Sequence, residues 1–155
     1  MNVEYINAFI ESAINVLKVM AFIDANAGDP YLKKDSKARG DVSGIIIFSG
    51  STTGSLVLSF SEACILKIVS NMLGDDIKIV DRITKDAAGE LTNMISGDAR
   101  KRLESKGHLI AANIPTLLSG EGHIIKHVLD GPSIVVPFKT AFGEFVVDVN
   151  IADVK

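Results

Sequence analysis

Residues 42–60 read VSGIIIFSGSTTGSLVLSF. Val42 to Ser49 is β-branched and apolar, as a strand requires. Gly50 to Gly54 has turn chemistry, because glycine adopts positive φ at little cost. Ser55 to Phe60 alternates, with Leu56, Leu58 and Phe60 on one face. The stretch predicts an antiparallel hairpin with one face turned to a core. The same grammar returns near the C-terminus. Ser133 to Phe138 reads as a strand and Lys139 to Gly143 as a turn. Glu144 to Ile151 reads as a strand with Phe145, Val147 and Val149 on one face. The two hairpins superpose at an offset of 89 positions, which sets Ile45, Ile46 and Ile47 on Ile134, Val135 and Val136, and Gly54 on Gly143. An internal duplication of a helix-plus-strands unit is one reading. The other is that all strand–turn–strand sequences share this pattern.

Three helices surround the hairpins. From Asn2 to Met20, apolar residues recur at three- and four-residue steps through Ile6, Phe9, Ile10, Ala13, Ile14 and Leu17, with Asn2 as N-cap. Phe22 to Ala25 leads into a polar, turn-rich stretch, Asn26 to Asp41, in which Tyr31 and Leu32 suggest an interrupted strand. Ser61 to Leu73 opens on a serine cap and stops at Gly74. Asp81 to Ser105 is the longest helical stretch, capped by Asp81, with Lys101 and Arg102 in its last turns. His108 to Ile114 reads as a strand ended by Pro115. The order is helix, strands, helix, helix, strands. It predicts an α+β fold over residues 1–155, one mostly antiparallel sheet with helices packed on a face.

Composition narrows the class. The chain has 155 residues, 47% hydrophobic and 23% charged, enough for an ordinary core and too apolar for a disordered protein. One cysteine, Cys64, excludes a disulfide scaffold and a cysteine-rich zinc module. A net charge of −3, no Trp and 6% aromatics argue against a nucleic-acid surface. No apolar run has the length of a membrane span, and the N-terminus lacks a basic signal-peptide region, so a cytoplasmic location is expected.

The longest helix has two sides. Ile83, Ala87, Leu91, Met94 and Ile95 share one face. Asp86, Glu90, Asn93, Gly97, Arg100 and Glu104 form the opposing stripe. Asp86, Glu90 and Asn93 are four and three residues apart, so their side chains stand side by side. Gly89 and Gly97 sit beside them. A helical glycine costs about 1 kcal/mol relative to alanine. Close approach of another backbone is the expected reason for both. Glu-x2-Asn by itself is a weak pattern, and Glu4-x2-Asn7 matches it by accident of composition.

The wider pattern is sharper: Asp86-x3-Glu90-x2-Asn93, then Pro115 after a gap of 21 residues. With the string GELTNMISG at 89–97, it resembles the active helix of the CheC/CheX/FliY family of chemotaxis phosphatases. The resemblance extends over nearly the whole chain, through the STTGSLVLSF and FKTAFGEFVVDV hairpins. The length and single motif place it nearest the CheX branch. The resemblance implies a hydrolase that removes the aspartyl phosphate of a phosphorylated CheY-like response regulator, with Glu90 and Asn93 as the catalytic pair. An acyl phosphate has a good leaving group, so placing a water in line with phosphorus suffices. The neutral Asn93 amide suits the water, since it donates and accepts without ionising. Glu90 suits a cation on the regulator, the active-site lysine in the family picture. Asp86 and Pro115 match the motif in supporting roles. No cofactor of its own is implied; Mg2+ belongs to the regulator. A homodimer is implied, and exposed hairpin edges would offer the contact. The alternative is a non-catalytic module that docks a regulator through the same face.

Other features have plainer readings. Cys64 reads as a small core residue without an activating partner. His123 and His127 have the spacing of a helical ligand pair, but no third ligand is near, so no metal site is assigned. Gly50-x3-Gly54 lacks the Lys-Ser or Lys-Thr of a phosphate loop. Lys33, Lys34, Lys37 and Arg39 read as a solvated basic loop.

Overall fold

The computed structural model describes residues 3–152, so the Asn2 cap lies outside the described residues. The 42–60 hairpin forms as read. β3 (Val42–Gly50) follows α1 (Val3–Ala21) and two short strands, β1 (Asn26–Ala27) and β2 (Tyr31–Lys33). β3 runs antiparallel to β4 (Gly54–Phe60), with Val42 opposite Phe60 and Phe48 opposite Gly54. Gly54 has φ +158° and lies so close to β8 that a side chain there would meet the Asn150 carbonyl. The chain continues through α2 (Glu62–Leu73), α3 (Arg82–Glu104), β5 (Ile110–Ala112) and β6 (Thr116–Ser119). It closes with the hairpin β7 (Ser133–Thr140) and β8 (Gly143–Ile151).

The two hairpins join along β4 and β8, antiparallel from Gly54 opposite Ile151 to Phe60 opposite Phe145. Leu58 faces Val147, its own counterpart at the offset noted above, so a local two-fold axis passes through that pair. The flanking strands follow the same relation: β1 and β2 pair with β7, and β5 and β6 pair with β3. The sheet order is β1-β7-β8-β4-β3-β5, with β2 also on β7 and β6 also on β3. Each hairpin's outer edge is therefore covered by short strands of the same chain. Among the described residues, the hairpin edges expected to offer a dimer contact are therefore not free. The strand read at His108 to Ile114 is shorter, and the chain re-enters the sheet after Pro115 as β6. Thr116–Ser119 is too short to declare itself; pairing with β3 makes it a strand.

The helices cover one face of the sheet. Phe9 of α1 stacks on Phe48 of β3 at 5.5 Å, and Phe138 stacks on Phe145 at 4.6 Å. Ser61 caps α2 by accepting from the Cys64 N–H at 3.3 Å, and Gly74 ends it in the left-handed conformation. Asp81 and Thr84 form a reciprocal capping box on α3. The buried stripe of α3 runs through Thr84, Ala88, Leu91, Thr92, Ile95, Ala99 and Leu103. Ile83, placed on the same face as Ala87 and Leu91, is 59% exposed. It belongs to the first turn, ahead of where the helix meets the sheet. The glycine that admits α3 to the sheet is Gly44 on β3, where a side chain would run into Thr92. Cys64 is buried as expected, and burial pushes its thiol up to about 11, in spite of a hydrogen bond with Thr140.

The second face of the sheet is polar and nevertheless buried. Ser43, Ser55, Ser59, Asp148 and Asn150 alternate with core residues along their strands, yet each is under a tenth exposed. The segment between β6 and β7 covers them. Ile125 is buried there, and its N–H donates to the Ser36 carbonyl at 2.7 Å. No helix among the described residues is long and apolar enough to cross a membrane.

Candidate functional site

Asp86, Glu90 and Asn93 all lie exposed on α3, a continuous helix anchored by its opposite stripe. Glu90 and Asn93 occupy one surface at i, i+3 spacing. Neither has a hydrogen-bond or ion-pair partner among the described residues. Asp86 lies 3.9 Å from Arg82 in an exposed i, i+4 pair, which contributes little to stability. Pro115 faces the helix from the bend between β5 and β6. With Gly89, Ile114 and Leu117 it borders an open hollow of about 290 Å3 that also touches Asp86, Glu90 and Asn93. The residues read from sequence spacing are thus gathered at one surface. Gly97 lies farther along the same stripe, beside a second hollow.

The expected backbone approach is found at neither glycine. A side chain at Gly89 would lie 3.1 Å from the Leu117 side chain, so it is a β6 side chain and not a backbone that crowds α3 there. At Gly97 nothing lies within 4 Å, so no backbone approach explains it. A partner's surface is another matter: a bare helix ridge with an open hollow can enter a neighbouring protein's cleft. The exposed carboxylate and amide can bind a cation and a water, respectively.

Sequence reasoning missed a second polar cluster. Lys33, read as part of a solvated loop, is 2% exposed, and its ammonium donates to Asp148 at 2.9 Å. His127 lies 2.9 Å from the other Asp148 oxygen through Nε2 and 2.6 Å from Ser55 Oγ through Nδ1. The bonds fit one arrangement: Nε2–H donates to the carboxylate and Ser55 O–H donates to Nδ1. Burial opposes ionisation of Asp148, but hydrogen bonds from His127, Ser133 and Lys33 outweigh it and hold the carboxyl below its ordinary 3.8. Ser, His and Asp in line suggest a hydrolytic triad only on paper. Ser55 is fully buried and its oxygen also accepts from the Val128 N–H, so no substrate reaches it. His123, the other half of the histidine pair, bonds to Ser43 Oγ and the Gly120 carbonyl instead. The two rings serve separate parts of the second face.

An antiparallel sheet of paired hairpins, helices on one face, and an exposed helix bearing Glu-x2-Asn match the arrangement that the sequence resemblance implies. Residues 42–139 match the family described as chemotaxis phosphatase CheX. The CheY-P phosphatase CheX of Thermotoga maritima is 31% identical over 127 residues, covering 81% of this chain and 82% of that one. A CheC-like superfamily protein from Shewanella sp. PV-4 superposes with a TM-score of 0.90 at 42% identity, covering 99% of this chain and 100% of that one. The Borrelia burgdorferi CheX–CheY–BeF3–Mg2+ complex matches with a TM-score of 0.80 at 25% identity, covering 96% of this chain and 98% of that one. The chain belongs to the CheC/CheX/FliY family of chemotaxis phosphatases, with CheX proteins among its relatives.

Proposed function

We propose that this protein hydrolyses the aspartyl phosphate of a CheY-like response regulator by inserting the Glu90/Asn93 face of α3 into the regulator's active site. The observation that carries the reading is the exposed, unpartnered pair on a ridge, at the family's spacing. Asn93 holds the attacking water in line with phosphorus, so catalysis comes from positioning. Glu90 pairs with a cation of the regulator and anchors the helix. It is not the base, since an anion next to the phosphoryl group would repel it. Asp86 and Pro115 shape the approach, and Gly89 keeps α3 against β6. The regulator brings Mg2+, which offsets the charge on the phosphoryl oxygens. Membership of the family, and a relative that is a CheY-P phosphatase, support the activity.

The reading is tested by single-turnover loss of phosphate from a phosphorylated regulator over a range of protein concentrations. Faster loss than the regulator's own decay is the expected result. A protein that binds without accelerating the loss is a docking module and not a phosphatase. Glu90→Ala should lower affinity and rate together, because the anchoring charge is gone. The deficit should shrink as salt rises and screens the pair in the wild-type protein. A deficit independent of salt would remove Glu90 from that role.

Activity on a signalling regulator places the protein in the cytoplasm. A homodimer is the family expectation. Its contact would involve the outermost strands, where Tyr31 and Leu32 of β2 are 39% and 60% exposed, and not the hairpins. Sedimentation should give a dimer mass at micromolar concentration; a monomer mass there would exclude it.

A further inference from the structure

The stripe that carries Glu90 and Asn93 continues through Gly97, Arg100 and Glu104. Beside it, between the C-terminal half of α3 and β5, lies a hollow of about 560 Å3. Gly97, Arg100 and Lys101 line it from the helix; Leu109 and Ile110 line it from the strand side, with Gly50. Two features here have no explanation within the fold. Arg100 Nε is buried with no hydrogen-bond partner among the described residues, an uncompensated donor of a kind folded proteins seldom leave. Gly97 has helical backbone, and no atom lies within 4 Å of where its side chain would begin. A helical glycine is less favourable than alanine, and here neither conformation nor crowding calls for one.

The open space at Gly97 is explained if the hollow is occupied when the protein works, and Arg100, which lines it, supplies the charge to hold the occupant. We propose that this pocket receives an aspartate or glutamate side chain of the docked response regulator, held by Arg100, and that Gly97 keeps its mouth open. The proposal rests on the docking reading above and extends it to a residue that sets partner choice. Arg100 and Lys101 outnumber Glu104, so the pocket favours an anion. A guanidinium offers a planar fork of donors that fits a carboxylate. Arg100 lies seven positions after Asn93 on the helix, a rise of about 10 Å. The carboxylate is therefore one on the rim of the regulator's site and not the phosphorylated aspartate.

Two variants test it in the single-turnover assay. Arg100→Met keeps the apolar stem that packs on the helix. Gly97→Leu adds a good helix former where there is room, so thermal unfolding should show no loss of stability, but it obstructs the pocket. In both, the half-saturating concentration should rise about tenfold, as expected for loss of one close charge contact. The saturated rate should stay within about twofold of wild type, because neither residue touches the phosphoryl group. Both defects should shrink in high salt, because both variants lose the same charge contact, with Gly97→Leu keeping whatever part is steric obstruction. Charge reversal supplies the partner: Arg100→Glu should be rescued by changing the matching regulator carboxylate to lysine. If Asn93→Ala is slow but Arg100→Met and Gly97→Leu half-saturate like wild type, the pocket assignment falls and the docking reading stands. If Glu90→Ala binds the regulator as tightly as wild type, the docking reading itself falls, and the pocket assignment with it.

Discussion

Replacing Asn93 with alanine should slow saturated dephosphorylation about 100-fold, which corresponds to about 2.7 kcal/mol of transition-state stabilisation. The side chain is exposed and has no partner among the described residues. Its removal should therefore shift stability by no more than about 0.5 kcal/mol. Affinity for a stable mimic of the phosphorylated regulator should also persist, since Glu90 and the rest of the helix remain. The loss falls on the step in which a water must sit in line with phosphorus, and no other group on the stripe combines a donor and an acceptor without a charge. Single-turnover rates at saturating protein, with binding and unfolding measured alongside, separate these effects. An Asn93→Ala protein with the wild-type saturated rate would mean that Asn93 does not position the water.

The largest effects on stability should come from the opposite face of the sheet. Lys33 and Asp148 form an ion pair whose side chains are 1% and 3% exposed. Removing either partner leaves the other charge buried, at a cost of about 3–5 kcal/mol. That is a large share of the roughly 5–15 kcal/mol that holds a typical domain folded. Lys33→Met and Asp148→Asn should each lower the urea midpoint markedly. The double variant should lose much less than their sum, because neither charge is then stranded and the asparagine oxygen can still accept from His127. Strict additivity would show that the pair is not coupled. The same carboxyl governs acid stability. Its proton affinity is lower in the folded protein than in the unfolded chain. Its contribution is therefore complete above the ordinary value of 3.8 and is lost as pH falls below it toward the folded value. In Asp148→Asn that part of the acid transition should disappear.

Local grammar made much of this molecule legible. Alternating apolar residues with glycine turns declared both hairpins, because an extended strand with one face in the core has no other pattern. Ser61, Asp81 and Gly74 marked the ends of α2 and α3, since their side-chain and backbone chemistry acts within one helical turn. The Glu90/Asn93 pair was legible for a similar reason: a helix converts fixed spacing into a shared face. The short strands were less so. β1, β2 and β6 have two to four residues each, and hydrogen bonds from a distant hairpin define them more than their own propensity does. Ile83 shares its face with buried residues yet is exposed, because an apolar residue in register with a buried stripe need not be covered at the end of the helix.

By itself, then, the sequence determined the fold class, the two hairpins, the helix that bears the site and the orientation of Glu90 and Asn93 on it. All of these follow from interactions between residues a few positions apart. Tertiary structure alone decided which close approaches occur: Gly44 admits Thr92, while Gly97 stands beside an open hollow. It also brought Arg100 against β5 and turned Lys33 from an apparent surface lysine into a buried partner of Asp148. Lys33 and Asp148 are 115 positions apart. Nothing in the composition around either one signals the other. Burial and pairing at such separation depend on which surfaces the chain brings together, and that is a property of the packed molecule rather than of any local stretch of it.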